Sequence, residues 1–206
     1  ISSTAKTMGA VNTVMNIDGK LVGENTDGKG FMESLKKDAK VKPAGKNIVI
    51  LGAGGAARAI CVELAFANVD SITIINRSRK RGEELAQLLS DSSNVTVDFL
   101  PWDNLLSLPS DVDILVQATS IGLYPNKEKP SINYDSLKPG ILACDVIPNP
   151  PQTEFLQQAN SVGAKTLDGM GMLVYQGALA LRMWTGKDAP IKEMKEALSG
   201  FFARNG

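Results

Sequence analysis

The chain has 206 residues, 43% of them hydrophobic, with 22 basic side chains balancing 22 acidic ones. This length suits one large domain, or one domain with an added piece, and buries a real core. Zero net charge argues against nucleic acid or an anionic membrane as a partner, and the absence of histidine excludes Ser–His and Cys–His nucleophile pairs and histidine-rich zinc sites.

In chain order, "ISSTAKTMGAVNT" lacks a charged segment followed by an apolar core, so no signal peptide is expected. It opens without methionine, inside ordinary domain sequence, and a fragment of a longer protein is the expectation. "VNTVMNIDGKLVGENT" sets β-branched runs on both sides of Asn16-Ile17-Asp18-Gly19, a hairpin signal with Asp-Gly at its tip. Asp27 precedes "GKGFMESLKKDA", where Phe31, Met32 and Leu35 fall at helical spacing. "KVKPAGKN" reads as a connector.

Beyond it the pattern changes. "NIVILGAGGAARAICVELAFANV" is a buried strand, a glycine-rich turn and a helix, followed by strand "SITIIN" and helix "RKRGEELAQLLS". "VTVDFL", "DILVQAT" and "ILACDVI" continue the strands, "TEFLQQANSVG" is a helix ending at Gly163, and "AKTL" is a last short strand. Two helices, "GMGMLVYQGALALRMWTG" and "PIKEMKEALSGFFARNG", close the chain. Apolar strands alternating with helices predict an α/β fold with a parallel sheet covered on both faces. The apolar runs fall far short of a membrane span. Cys61 and Cys144, in a predicted helix and a predicted strand, are expected to be buried, reduced thiols of a cytoplasmic protein.

Gly52-Ala53-Gly54-Gly55-Ala56-Ala57 has the spacing G-x-G-x-x-A between a strand and a helix, with a second strand about 20 residues on. The first glycine permits the tight turn, the second admits a pyrophosphate, and the last small residue keeps helix and strand close. Free N–H groups at the helix start favour phosphate there. An NAD site usually ends its second strand in an acid that binds the ribose hydroxyl. Here that strand ends in Asn76, Arg77, Ser78, Arg79, Lys80 and Arg81. An arginine forms bidentate bonds to a 2′-phosphate and a serine adds a hydroxyl, so NADP is favoured over NAD. The plainer reading is a solvated basic helix start, although positive charge is disfavoured at that end.

"GAVNT", "GENTDGKGF", "LGAGGAARAI", "INRSRKR", "QATSIGLYP", "DVIPNPPQT" and "DGMGMLVYQGA...WTG" stand in the order found in shikimate dehydrogenases, including the quinate/shikimate branch. The resemblance covers nearly the whole chain. It implies a doubly wound parallel sheet, a Rossmann-like NADP domain at about 42–167. A remnant of an α/β substrate domain would precede it at 1–41, and C-terminal helices at 168–206 would pack back on that remnant. The implied reaction is reversible, NADPH-dependent reduction of 3-dehydroshikimate to shikimate, a step toward aromatic amino acids. The implied catalytic acid is Asp27, beside a lysine, and the implied substrate ligands are Asn12, Asp27 and Gln176. For the cofactor it implies the glycine turn (Gly52, Ala53, Gly54, Gly55, Ala56), the loop of Asn76, Arg77, Ser78 and Arg81, and Val146 and Gly169 near the nicotinamide. Thr119 and Ser120, off the sheet's C-terminal edge, are expected to border the cofactor. Met172 is expected among the cofactor-binding residues, as pocket wall, with core packing the plainer reading for it and Met170. No metal is expected, and the small-molecule substrate is the expected partner of a monomer or homodimer.

Two departures stand out. The family's catalytic lysine and serine pair lie upstream of "GAVNT", and Lys6, Ser2 and Ser3 stand in the wrong places for these roles. The chain is therefore expected to bind nucleotide but turn over poorly. Pro148 occupies a position where the family often has a tyrosine, which bears on which polyol is preferred. Two alternatives remain: a quinate/shikimate dehydrogenase with relaxed cofactor use, and a nucleotide-binding fragment without catalysis. Plainer roles also exist for the site residues. Asp27 is a helix-capping acid, Asn12 a strand-end amide, Gln176 a structural hydrogen bonder, and Thr119–Ser120 an ordinary loop. Trp102 and Trp184 read as packing residues and Lys165 as a sheet-edge charge.

Overall fold

The six strands expected beyond the connector form a parallel ladder with helices on both faces. The computed structural model describes residues 1–205. Its main sheet has six strands: β3 (Asn47–Leu51), β4 (Ser71–Asn76), β5 (Thr96–Pro101), β6 (Ile114–Gln117), β7 (Leu142–Asp145) and β8 (Lys165–Leu167). All pair in parallel, in the order β5-β4-β3-β6-β7-β8. The order turns back on itself between β3 and β6, the crevice where doubly wound sheets bind ligands. Lys165 lies on edge strand β8 and is exposed, as read from the sequence.

Successive side chains point to opposite faces. Ile48 and Ile50 join a core with Ile72, Ile74, Cys144 and helices α3 (Gly55–Phe66) and α4 (Arg79–Ser92). Val49, Leu51 and Leu115 face the other way, toward α5 (Glu154–Ser161) and the segment from Trp102 to Ile141. Cys61 and Cys144 are free and buried. The helix expected to end at Gly163 ends at Ser161, with Gly163 following in the left-handed region at φ +88°.

Before the sheet, β1 (Thr13–Ile17) and β2 (Lys20–Glu24) form an antiparallel hairpin. Asp18 and Gly19 both take positive φ at its tip, as a two-residue turn requires. The preceding helix α1 (Ser3–Met8) was not expected from the sequence. Its signals are present: Ser2 Oγ accepts from Ala5 N at 3.1 Å, and Gly9 closes it at φ +67°. Six residues are too few to show a helical period.

Helix α2 (Asp27–Lys37) packs between α3 and α6 (Met170–Thr185). Two glycines of "DGKG" allow this approach. A Cβ on Gly28 would strike the Ala59 carbonyl, and one on Gly30 would lie 2.7 Å from Gln176 N and Met172 O. Helix α7 (Ile191–Asn205) docks on this group through Asp38, which accepts from Tyr175 Oη at 3.0 Å and Lys195 Nζ at 2.6 Å. Trp184 departs from its expected packing role. It is 59% exposed, and its Nε1 donates to Val14 O at 2.9 Å, tying α6 to the hairpin. Among the described residues no helix is long and apolar enough to cross a membrane.

Candidate functional site

The turn after β3 opens at the C-terminal edge of the sheet. Gly52 takes φ +114°, and a Cβ there would lie 2.8 Å from Ala118 O. Only glycine fits both the backbone and the space. Gly54, just before α3, has nothing within 4 Å of its own Cβ position, and neither has Gly55. The helix N-terminus is therefore open to an anion, with free N–H groups toward it. A cavity of about 220 Å³ lies over this turn, lined by Gly52, Ala53, Gly54, Asn76, Arg77, Arg81, Trp102, Ala118, Thr119 and Ser120.

The basic loop closes one end of that cavity. Asn76 Nδ2 donates to Ser78 O at 2.8 Å, which holds the loop after β4. Ser78 caps α4, its Oγ accepting from Arg81 N at 3.4 Å, so its O–H remains free to donate. Arg79 pairs with Asp103 at 3.3 Å. Arg77 and Arg81 are exposed and make no ion pair among the described residues. Two guanidinium groups are thus available to a dianion beside the glycine turn.

A second cluster joins residues far apart in sequence. Asn12 Nδ2 donates to Asp27 Oδ1 at 2.9 Å and to Thr26 Oγ1 at 3.1 Å, and Asn12 Oδ1 accepts from Thr26 N at 2.9 Å. Thr26 Oγ1 lies 3.3 Å from Gln176 Oε1, and Gln176 Nε2 donates to Leu173 O at 3.1 Å. Asn25 Oδ1 accepts from Asp27 N at 3.0 Å. Asp27 is the first residue of α2 and bonds no N–H of that helix through its side chain; Thr26 holds the cap position. Its carboxylate still gains from the positive end of the helix. The cluster presents the Asp27 carboxylate and the side-chain amides of Asn12 and Gln176, groups that accept from and donate to hydroxyls, while Asn25 is buried.

The loop after β6 lines the same cavity, and the loop after β7 follows the neighbouring strand at the same edge of the sheet. Burial pushes the Asp145 carboxyl up to about 6, reinforced by the negative charge of Asp168 and opposed by bonds from Thr153 and Ile147. The ordinary value is 3.8. A raised acid pKa means the folded chain holds the proton more tightly, so Asp145's contribution to stability falls as pH rises from about 4 to about 6. D145N removes this dependence. Its stability relative to wild type is expected to rise across that window, by on the order of 2–3 kcal/mol in total, and then stay level. Urea melts at closely spaced pH values measure this, and a difference independent of pH would contradict it.

Of the residues named from sequence, the cavity brings together Gly52, Ala53, Gly54, Asn76, Arg77, Arg81, Thr119 and Ser120. Gly55, Ala56 and Ser78 stand beside it in the same turns. Val146 and Gly169 meet each other at the neighbouring strand end, where a Cβ on Gly169 would lie 2.5 Å from Val146 O. Met172 is 9% exposed and belongs to the core, not to the lining of this cavity. Sequence reasoning passed over Thr26, whose signal was its place inside "NTDG". It also treated Trp102 as packing alone, although Trp102 directly follows a strand at the ligand-binding edge of the sheet.

The fold defines a Rossmann-like α/β protein with a glycine turn open at the sheet's C-terminal edge and a polar cluster of Asn12, Thr26, Asp27 and Gln176. Residues 34–147 match the family described as shikimate / quinate 5-dehydrogenase, and residues 169–198 match the shikimate 5′-dehydrogenase C-terminal domain. The chain belongs to the shikimate dehydrogenase family. A shikimate dehydrogenase (NADP(+)) of Desulforamulus reducens is 44% identical over 201 residues, 96% of this chain and 69% of that protein. A 5-ketofructose reductase of Gluconobacter sp. strain CHM43, solved without ligand, is 47% identical with TM-score 0.93, over 98% of this chain and 72% of that one. Shikimate 5-dehydrogenase of Listeria monocytogenes, in complex with shikimate and NAD, is 34% identical with TM-score 0.87, over 96% and 70%.

Proposed function

We propose that this chain carries the NADP site and part of the substrate site of a dehydrogenase that interconverts 3-dehydroshikimate and shikimate. The observation that carries this reading is that Asn12 bonds Asp27 directly and is joined to Gln176 through Thr26. These residues offer a ring polyol both acceptors and donors, and Asp27 offers a carboxylate at the positive end of α2. Gly52 makes the tight turn, Gly54 leaves room for the pyrophosphate, and Arg77 and Arg81 face the adenosine phosphate. When bound, the dinucleotide supplies or accepts the hydride.

The remaining need is a proton at the carbonyl oxygen. Among the described residues Asp27 makes no ion pair with a lysine, and Lys29 pairs instead with Glu24 at 3.2 Å. The cluster of Asn12, Thr26, Asp27 and Gln176 holds no ammonium group to donate that proton, so the 206-residue chain is expected to bind cofactor but turn over slowly.

A second reading is favoured by a specific observation. The Gluconobacter 5-ketofructose reductase is 47% identical, and Pro148 replaces the tyrosine that the resemblance expects beside the substrate. A small keto sugar is therefore a competing substrate. The test is calorimetric titration with NADPH and NADH, followed by NADPH oxidation with 3-dehydroshikimate and 5-ketofructose in parallel. Tighter binding of NADPH and turnover far below ~1 s⁻¹ that is selective for 3-dehydroshikimate are expected. Selectivity for 5-ketofructose would replace the substrate assignment, and absence of nucleotide binding would refute the whole reading.

A further inference from the structure

Gln117 ends β6, Asp145 ends β7, and the two are register partners on the last rung between these strands. Both are buried, at 0% and 2% exposure. A buried amide and a buried carboxyl cost free energy unless they are hydrogen-bonded. Each turns to the loop that follows its own strand. Gln117 Oε1 accepts from Thr119 N at 2.6 Å and from Thr119 Oγ1 at 2.7 Å, and its Nε2 donates to Ile121 O at 2.9 Å. Asp145 Oδ1 accepts from Ile147 N at 3.0 Å, and its Oδ2 accepts from Thr153 Oγ1 at 2.7 Å.

The loops held in this way abut two glycines. Ala118 O lies 2.8 Å from the Cβ position of Gly52, and Val146 O lies 2.5 Å from that of Gly169. Between them Val146 N donates to Gln117 O at 3.1 Å. Backbone contacts thus run from Gly52 to Ala118 and, through the bond between Gln117 O and Val146 N, on to Gly169. The width of the opening at this edge therefore follows the two braced loops.

We propose that Gln117 and Asp145 are positioning residues that set the opening which receives the nicotinamide half of the dinucleotide, Gln117 by holding Thr119–Ile121 and Asp145 by holding Val146–Ile147. This rests on the dinucleotide reading above. Neither side chain reaches the ligand; each acts through its loop. The adenosine end, at Asn76–Arg81, follows β4 on the other side of β3; it shares a cavity with Thr119 and Ser120, but its own hydrogen bonds and ion pair run within the loop and to Asp103, not to Gln117 or Asp145.

The test compares NADPH with adenosine 2′,5′-bisphosphate, which fills only the adenosine end. Calorimetry on the 206-residue chain is carried out for wild type, Q117M, D145A and D145N. Q117M and D145A are expected to weaken NADPH about tenfold and the bisphosphate less than about twofold. D145N keeps an acceptor for Ile147 N and a polar partner for Thr153, and is expected to bring NADPH back to within about threefold of wild type. Equal losses for both ligands, or no recovery in D145N, overturn the proposal. If Q117M or D145A fails to fold, T153V replaces it in the comparison, because Thr153 stands outside the cavity lining and the substitution removes its bond to Asp145 together with the α5 cap bond from Leu156 N. Its expected effect is about threefold on NADPH with the bisphosphate unchanged, and no effect or an equal loss is again contrary. A wild-type chain that binds neither ligand overturns the dinucleotide reading and this proposal together, whereas equal losses overturn the proposal alone.

Discussion

Replacing Arg77 by alanine is expected to weaken NADPH about 10- to 100-fold while changing NADH less than about threefold. The two cofactors differ only in the 2′-phosphate. Arg77 lines the glycine-turn cavity, is exposed, and makes no ion pair among the described residues, so its guanidinium needs no internal partner broken before it binds. A bidentate, charge-assisted bond to a phosphate has the strength for this loss. Arg79 differs, because Asp103 already holds it at 3.3 Å; Arg79→Ala is expected to cost NADPH less than Arg77→Ala. Part of the Arg77 effect is long-range Coulomb attraction, so the NADPH preference should shrink as salt rises. Titrations of both cofactors at low and high ionic strength measure all three quantities. Equal losses of NADPH and NADH in the Arg77 variant would remove the 2′-phosphate from this loop.

Gly54→Ala and Gly52→Ala are expected to separate binding from folding. At Gly54 φ is −88° and nothing lies within 4 Å of the Cβ position, so alanine should fold with a melting temperature within about 2 °C of wild type. The added methyl enters the space that a pyrophosphate needs, and NADPH binding should fall at least about tenfold. At Gly52 alanine meets both a φ of +114° and the Ala118 carbonyl at 2.8 Å. Strain and overpacking together cost about 2–4 kcal/mol, which lowers the melting temperature by on the order of 10 °C. Thermal melts and NADPH titrations on both variants settle the pattern. A Gly54 variant that binds normally would reduce the glycine turn to a purely structural feature.

Much of this architecture was legible along the chain. "NIVIL", "SITIIN" and "ILVQ" read as strands buried on both sides, and they are the centre of the parallel sheet. The Asp18-Gly19 tip predicted the hairpin, and G-x-G-x-x-A predicted a turn open to phosphate. Helix α1 escaped notice because six residues hold too little periodicity to be recognised. Trp184 was misread because an aromatic on an apolar helix usually packs inward, whereas here its indole N–H spans the surface to Val14 O.

Properties set by local backbone preference and side-chain period were therefore determined by the sequence alone: the α/β class, the strand–turn–helix at Gly52–Ala57, and the basic end of the second strand. The tertiary structure decided what those rules leave open. Thr26 meets Gln176 from 150 positions away, because Gly28 and Gly30 let α2 settle between α3 and α6. Gln117 and Asp145 become partners because β6 and β7 align in one register. Such contacts depend on packing and register between distant segments, and no local window of sequence contains that information.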